Sequence, residues 1–499
     1  MATRKGKVTS LAVSSLTTKN SLSSNHTNPQ IATGGFMKHS LLLKAGVLSL
    51  MLFIYGCGQD SNTSSTESAG ESNTAASSTS GEPVAIDENS HFVPVLSYRT
   101  GPYAPNGIGV ANGFVDYLKV INARDGGING VKIAFEECET GYSTARSIEC
   151  YERLKTKGPT GATVFNPMST GATFAITEKA PVDKVPLITM GYGRSESRNG
   201  SVFPWNFPIY GTYWTAADVL VNHVADINGG LDKLKDKKIV LVYHDSPFGK
   251  EPIPLLEKRA EMHGFNLIKI PVTHPGVEQK SAWITVRKEQ PDYVFLWGWG
   301  VMNSTAIKEA AGVRYPREQI YGIWWAGSEP DVRPAGDAAK GYQAVSMISS
   351  GKTRVHDDIM SYLYDKGNGT GEVEYVGQVL YNVGMLNAAL VVEAIRTAQG
   401  KYGDKPMTGE QVRWGIENLN ITQEDIDALG LTGYMYPVQL ACSDHEGKQA
   451  ARLHRWNGNT WEYSTDWIQA DNTLLDPMVQ TQADAYAAEK GLQTQACES

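Results

Sequence analysis

The feature that most constrains this chain is a repeated alternation of short, wholly apolar runs with amphipathic stretches. Residues 92–98 are one such run, and Phe114, Tyr117, Leu118 and Ile121 follow at i, i+3, i+4 and i+7, the spacing of one helix face. The turn Gly126-Gly127-Ile128-Asn129-Gly130 leads into a second apolar run at 131–135. Helices are expected at 144–155 and 172–182, and strands at 163–165 and 186–190. The pattern then restarts. A helix at 215–227 and a polar stretch at 228–238 precede strands at 239–243, 267–272, 293–297 and 320–325, with helices at 250–263, 281–289 and 305–311 between them. Strands apolar on both faces need cover on both faces, which predicts parallel sheets sandwiched by helices. Two successive units of similar size predict an α/β protein of two Rossmann-like lobes. A long helix with Val379, Val383, Leu386 and Leu390 on one face follows, and 438–442 with 451–456 reads as a hairpin around Ser443-Asp444-His445-Glu446-Gly447.

Charge is placed unevenly along the 499 residues. Residues 1–56 hold six basic side chains and no acid, whereas 39 basic residues face 53 acidic ones from Cys57 onward. An acidic body excludes a general nucleic-acid binder, because phosphate contacts need a surplus of Lys and Arg.

Residues 37–57, MKHSLLLKAGVLSLMLFIYGC, have a basic start, an apolar middle and a terminal Cys. That is the layout of a secretory signal, and the apolar run is shorter than the ~20 residues a membrane span needs. Ile54-Tyr55-Gly56-Cys57 resembles a bacterial lipobox with Cys57 as the lipidated residue, although Tyr55 departs from the usual small side chain. Met37 is then a natural start, and 1–36 reads as an over-extended N-terminus; a transit peptide is the other reading of its Ser-rich, acid-free composition. Between Ser61 and Ser80, 12 of 20 residues are Ser or Thr. Such a stretch buries too little surface to offset its ordering entropy, so 57–88 reads as a tether. Anchor, tether and body together place the body outside the cytoplasmic membrane.

Four cysteines remain. Proximity favours Cys138–Cys150, leaving Cys442–Cys497 to tie down the C-terminal tail; buried free thiols are the alternative. No Cys/His spacing suggests a metal and no cofactor is expected. There is no GxSxG, HExxH, P-loop or complete GxGxxG, so no catalytic constellation stands out. His244-Asp245 at a strand end has no identifiable Ser partner and reads as a surface or loop pair.

Several segments carry a resemblance: Tyr98-Arg99-Thr100-Gly101-Pro102, Arg124-Asp125-Gly126-Gly127-Ile128-Asn129-Gly130, Phe165-Asn166-Pro167-Met168-Ser169-Thr170 and His244-Asp245-Ser246-Pro247-Phe248-Gly249. In this order they resemble the type I periplasmic solute-binding proteins of ABC transporters, in particular the branched-chain amino acid and amide (Leu/Ile/Val-binding) group, over about residues 91–460. The resemblance implies two lobes joined by three crossovers, 91–209 with 347–435 and 210–346 with 436–465, leaving 466–499 as a tail on lobe two. It implies a lipid-anchored, extracytoplasmic monomer that performs no catalysis. Such a protein captures a small apolar amino acid, amide or carboxylate and hands it to a membrane permease and ATPase.

Ligands of open α/β sheets sit beyond the carboxyl ends of the strands. Ser169 and Thr170 lie at such an end, where Ser169 is also a natural helix N-cap. By resemblance, the backbone of Gly191, Tyr192 and Gly193 adds donors in lobe one, and Phe248 and Trp299 take aromatic contact positions in lobe two. Trp325 falls near the position where amino-acid binders carry an acid for the ligand's ammonium. Either Glu329 or Asp331 reaches in, or the ligand has no ammonium, because a buried ammonium without a counter-charge is costly. Strand alternation places Trp299 and Trp325 in the cleft, with Trp297 and Trp324 buried. Tyr103, Asn106 and Tyr375 are further candidates. The rival readings are a ligand-sensing receptor domain feeding a signalling partner and, more remotely, a secreted α/β enzyme.

Overall fold

The computed structural model of the chain describes residues 86–447 and 450–497. The signal, Cys57 and nearly all of the tether lie outside the described residues. In lobe one, β1 (Ser90–Ser97) is buried throughout. Helix α1 (Ala104–Arg124) returns the chain to β2 (Lys132–Glu139), which pairs with β1 in parallel, Ser90 opposite Lys132. Helices α2 (Thr144–Leu154) and α3 (Thr170–Ile176) follow, then the short parallel pair β3 (Leu187–Ile188) and β4 (Asn206–Phe207).

Two expectations need correction here. The strand at 163–165 is reduced to single bridges, Phe92 to Ala162 and Phe165 to Leu187. The helix expected at 172–182 breaks after Ile176 and resumes for one turn at Ala180–Asp183. Pro181 has no N–H to continue the ladder, and Lys184 ends the turn in a left-handed conformation at φ 57.

The chain then crosses to lobe two. Helix α4 (Tyr213–Asn228) precedes β5 (Lys238–His244), α5 (Ile253–His263), β6 (Asn266–Val272), α6 (Lys280–Glu289), β7 (Tyr293–Trp297), α7 (Val301–Gly312), β8 (Ile320–Gly322) and β9 (Gln343–Ser346). The strands are parallel in the order β6-β5-β7-β8-β9. β8 stops at Gly322 rather than running to 325, and Trp324–Ala326 forms a 3-10 turn, so strand alternation does not govern the paired tryptophans.

The chain returns to lobe one with α8 (Val379–Tyr402), which lies against α1. Two glycines permit this approach. A Cβ on Gly113 would sit 1.9 Å from the Tyr381 carbonyl oxygen, and one on Gly384 would sit 2.0 Å from that of Val110. Strands β10 (Asn420–Ile421) and β11 (Val438–Gln439) pair with each other, and the chain crosses a third time to β12 (Ala450–Trp456), β13 (Trp461–Tyr463) and β14 (Ile468–Gln469). The expected hairpin is therefore displaced: β12 turns back on β13 and lies antiparallel to β9. Residues 443–447 are instead fastened to the first crossing, with Asp444 Oδ1 accepting from the Glu446 and Gly447 amides and Glu446 Oε1 accepting from the Thr212 amide at 2.8 Å.

The tail departs furthest from expectation. Helix α9 (Asn472–Lys490) starts on lobe two, where the Asp471 amide donates to Asp218 Oδ2 at 2.7 Å. It then leaves that lobe and packs Ala483, Tyr486 and Ala487 on Val202 and Phe203. Lys490 pairs with Glu178 at 2.8 Å, and a disulfide joins Cys497 to Cys442. A second disulfide joins Cys138 to Cys150 between β2 and α2.

Candidate functional site

Between the lobes lies a narrow cavity, with room of about 30 Å³ for the centre of a water-sized molecule. The ends of the lobe-one strands supply Tyr98 and Tyr142, and the loop into α3 supplies Met168, Ser169 and Thr170. Tyr192 follows β3, and α1 and α8 contribute Val110, Val383 and Asn387. From the other side come Tyr213 at the start of α4, Phe248 after β5, Trp299 after β7 and Trp325. Among the described residues that line it, none is Asp, Glu, Lys, Arg or His.

The walls are held by contacts between aromatic rings. Trp299 meets Trp325 edge to face at 5.4 Å and Tyr98 at 6.1 Å, and Tyr142 lies 5.0 Å from Tyr98. Tyr142 and Met168 hold left-handed backbones, φ 61 and 55, at which bulky residues are strained; such strain persists where the surroundings enforce it. Burial lifts the hydroxyls of Tyr98, Tyr142, Tyr192 and Tyr213 above the ordinary phenol range, so all four are neutral at physiological pH. The Tyr142 hydroxyl faces Ser169 and that of Tyr213 faces Thr170. Ser169 also caps α3, its Oγ accepting from the Ala172 amide. Tyr192 donates to Asn166 Oδ1 and accepts from the Met168 amide at 2.9 Å.

Of the residues singled out in the sequence, Ser169, Thr170, Tyr192, Phe248, Trp299 and Trp325 line this cavity. The others do not. Gly191 stands behind the wall, where its carbonyl accepts from both Trp324 Nε1 (2.7 Å) and Trp325 Nε1 (3.0 Å). Gly193 gives room to Glu251, whose Oε1 would lie 2.5 Å from a Cβ there. The Tyr103 hydroxyl and His244 Nε2 share a hydrogen bond across the lobes at 2.8 Å. Asn106 binds Asp331 at 3.1 Å, and Tyr375 sits half-buried in the turn ahead of α8. Trp297 and Trp324 are buried. His244 is not a surface residue: it is 3 % exposed, its Nδ1 meets Ser246 Oγ, and burial lowers its pKa to about 4.

Neither acid near Trp325 enters the cavity. Asp331 accepts from Asn106, Asn303 and the Ser328 amide, and Glu329 accepts from the Val379 amide at 3.0 Å. Burial pushes Asp331 up to about 6 and Glu329 up to about 7. A third acid, Glu251, lies at the seam between the lobes. Its Oε2 accepts from Ser195 Oγ at 2.9 Å, its Oε1 has no partner, and burial, with the nearby Glu196, raises it to about 8. Sequence reading missed Tyr98, Tyr142, Tyr213 and Asn387. The strand-end rule points to the first two; nothing in the sequence marks Asn387, which the α1–α8 packing delivers.

Two α/β lobes joined by three crossings, with a lined cavity between them, define a bilobal solute-binding protein. Residues 91–460 match the family model described as periplasmic binding protein, and the chain belongs to that family. It is similar to a crystal structure described as an ABC transporter permease from the Pseudomonas fluorescens group. That protein is 44 % identical, with a TM-score of 0.78 over 83 % of this chain and 100 % of the other. A branched-chain amino acid ABC transporter from Thermus thermophilus with bound valine shares the fold at 21 % identity and a TM-score of 0.64, over 79 % of this chain and 100 % of the other. So does an R. palustris solute-binding protein in complex with benzoate, at 17 % identity and a TM-score of 0.60, over 76 % of this chain and 97 % of the other. No curated protein matches the chain. Periplasmic binding proteins of ABC transporters bind small solutes outside the cytoplasm and work with a membrane permease and ATPase.

Proposed function

We propose that this chain is the lipid-anchored, monomeric receptor of an ABC importer, tethered through Cys57 and residues 57–88. Lobe one spans 91–209 and 347–435, and lobe two spans 210–346 and 436–465. The lobes close on a small apolar amino acid, amide or carboxylate and release it unchanged to the permease. The observation that carries this reading is the cavity itself, in which side chains of both lobes converge and the described lining residues include no Asp, Glu, Lys, Arg or His. Ser169, Thr170 and Tyr192 supply polar contacts, and Phe248, Trp299 and Trp325 supply apolar area. Hinge closure follows because a ligand held by both lobes favours the state in which both are near.

A thermal-shift screen against branched-chain and aromatic amino acids, short amides and urea, and aliphatic and aromatic carboxylates tests it. A ligand at 100 times its dissociation constant adds about 2.7 kcal/mol of stability. A folded protein that none of these classes stabilises would count against the reading.

A further inference from the structure

Three segments of chain cross between the lobes, and helix α9 runs beside them as a further connection. Its start is attached to lobe two. β14, just ahead of it, pairs with β12, the Gln469 carbonyl accepts from Asn222 Nδ2 of α4 at 3.0 Å, and the Asp471 amide donates to Asp218 Oδ2 of the same helix at 2.7 Å. Leu474 and Leu475 join the main core. Its middle is held by lobe one: Asp476 pairs with Arg198 at 2.8 Å, and Gln480 Oε1 accepts from Asn199 Nδ2 at 3.0 Å. At its end, Ala483, Tyr486 and Ala487 form a separate small cluster with Val202 and Phe203, and Lys490 reaches Glu178. Beyond the helix, Cys497 is bonded to Cys442 on the third crossing.

Resting on the hinge closure proposed above, we infer that α9 is a brace across the hinge, which limits how far the lobes separate, and that the Cys442–Cys497 disulfide keeps its far end from leaving lobe one. The crossings can flex, because a few loop residues absorb the dihedral changes of a hinge. A helix resists this: its backbone is held turn by turn, and 19 residues make a rod about 28 Å long. Pro477 removes one bond of that ladder, but Asp476 and Gln480 on either side of it are both clamped to lobe one. A rod fixed to two bodies that rotate against each other must release one of them. The lobe-one end is the weaker, a satellite cluster against an attachment continuous with the main core, so wide opening peels Tyr486 from Phe203 first and the disulfide then stops the travel. The same end steadies the loop behind the cavity wall. Arg194, two residues beyond Tyr192, lies over the Tyr486 ring at 4.2 Å, and Ser195 Oγ donates to Glu251 of lobe two at 2.9 Å. A brace of this kind raises the closed population before a solute arrives.

The test is double electron–electron resonance on the full chain without solute. Nitroxide labels are carried on ketone-bearing side chains at the exposed Ala145 of lobe one and Glu278 of lobe two, so that no cysteine is labelled. The unaltered protein should give one narrow distance distribution. Combining Cys442→Ser and Cys497→Ser with Tyr486→Ala and Lys490→Ala frees the far end. The mean distance should then move outward by about 5 Å, the travel of a rotation of about 15° on a lever of about 20 Å. The serine pair alone guards against a fold too weakened to read: it keeps the helix contacts and should broaden the distribution on its long side only. Each variant is measured at a temperature where its melt shows it folded. Identical distributions in all three proteins overturn the inference, as does a broad distribution in the unaltered protein. Because no solute is used, either result leaves the solute-binding reading to stand or fall on the thermal-shift screen.

Discussion

The cavity and the seam behind it bury polar groups in opposite ways. In the cavity every polar side chain is neutral. Behind it, where the first and third crossings meet the tail, buried charge is concentrated. Arg198 faces Asp444 at 3.2 Å, Glu446 at 3.7 Å and Asp476 of α9 at 2.8 Å. Glu446 is wholly buried and pushed up to about 7 by that burial. The His445 ring stacks on Phe207 at 4.1 Å and its Nδ1 meets the Asn206 carbonyl. The seam has fixed counter-charges and must hold one arrangement. The cavity keeps neutral groups that water or a ligand can satisfy, and so can be emptied. Charge fixes the joint, and its absence leaves the binding face exchangeable.

The sharpest way to break this contrast is to uncharge the seam. Arg198→Met leaves Glu446 and its neighbours without their cation, and removing one member of a buried ion pair typically costs about 3–5 kcal/mol. Urea unfolding should show that loss, whereas Phe248→Leu in the cavity wall should cost less, since Leu keeps most of the buried apolar area and the ring already borders open space. Equal losses would erase the distinction between the two regions.

The disulfides sharpen it further. Cys442–Cys497 closes a loop of sequence separation 55 and pins the tail to the third crossing; Cys138–Cys150 closes one of 12. Paired Ser substitutions should destabilise the protein in both cases, by about 2–4 kcal/mol, with the tail pair costing about 1.4 kcal/mol more because its loop is longer. Matched thermal melts of the two double variants measure the difference.

How far the sequence carries depends on what each element relies on. The parallel strands were legible because buried strands such as 239–243 and 293–297 write their burial directly into unbroken apolar runs. Breaks inside elements were less so. Pro181 marks the end of α3, but the turn at Trp324 comes from packing under Tyr342, whose hydroxyl donates to the Ala326 carbonyl at 2.8 Å. The cavity shows the same division. Ser169, Thr170 and Trp299 lie at strand ends, where topology alone points. Asn387 is a mid-helix residue whose neighbours are ordinary core, and only the close approach of α1 and α8 turns it into a wall. The tail was misplaced because its apolar face, Ala483, Tyr486 and Ala487, names no partner until the Phe203 loop is seen in space.

Glu251 joins the two regions and gives a pH test. Its native pKa of about 8 lies above the ordinary value of 4.5, so between these the folded protein holds a proton that the unfolded chain has released. Its contribution is fully present below about 4.5 and is lost as pH rises through about 8. Glu251→Gln should therefore flatten the fall of stability across that window by about one proton's worth of slope. It should not abolish it, because Glu329 and Glu446, both near 7, act with the same sign. Melting curves at pH 5, 6.5 and 8 decide it; an unchanged slope in the variant would show that Glu251 ionises freely and that the seam is wetter than its burial implies.

The smallest expected effect concerns the Gly191 carbonyl, where lobe one meets the paired tryptophans of lobe two. Gly191 accepts from two indoles, so the lobes are joined there twice. Trp325→Phe removes one N–H and keeps the ring against Trp299. A single neutral hydrogen bond is worth about 0.5–1.5 kcal/mol net, and Trp324 remains to satisfy the carbonyl, so the loss should fall at the low end. It should appear as dissociation of a bound solute about two-fold faster, with little change in the melting temperature of the empty protein. A larger change in stability than in dissociation would place Trp325 with the fixed seam rather than the exchangeable wall, and would move the boundary between the two regions to the far side of the ligand.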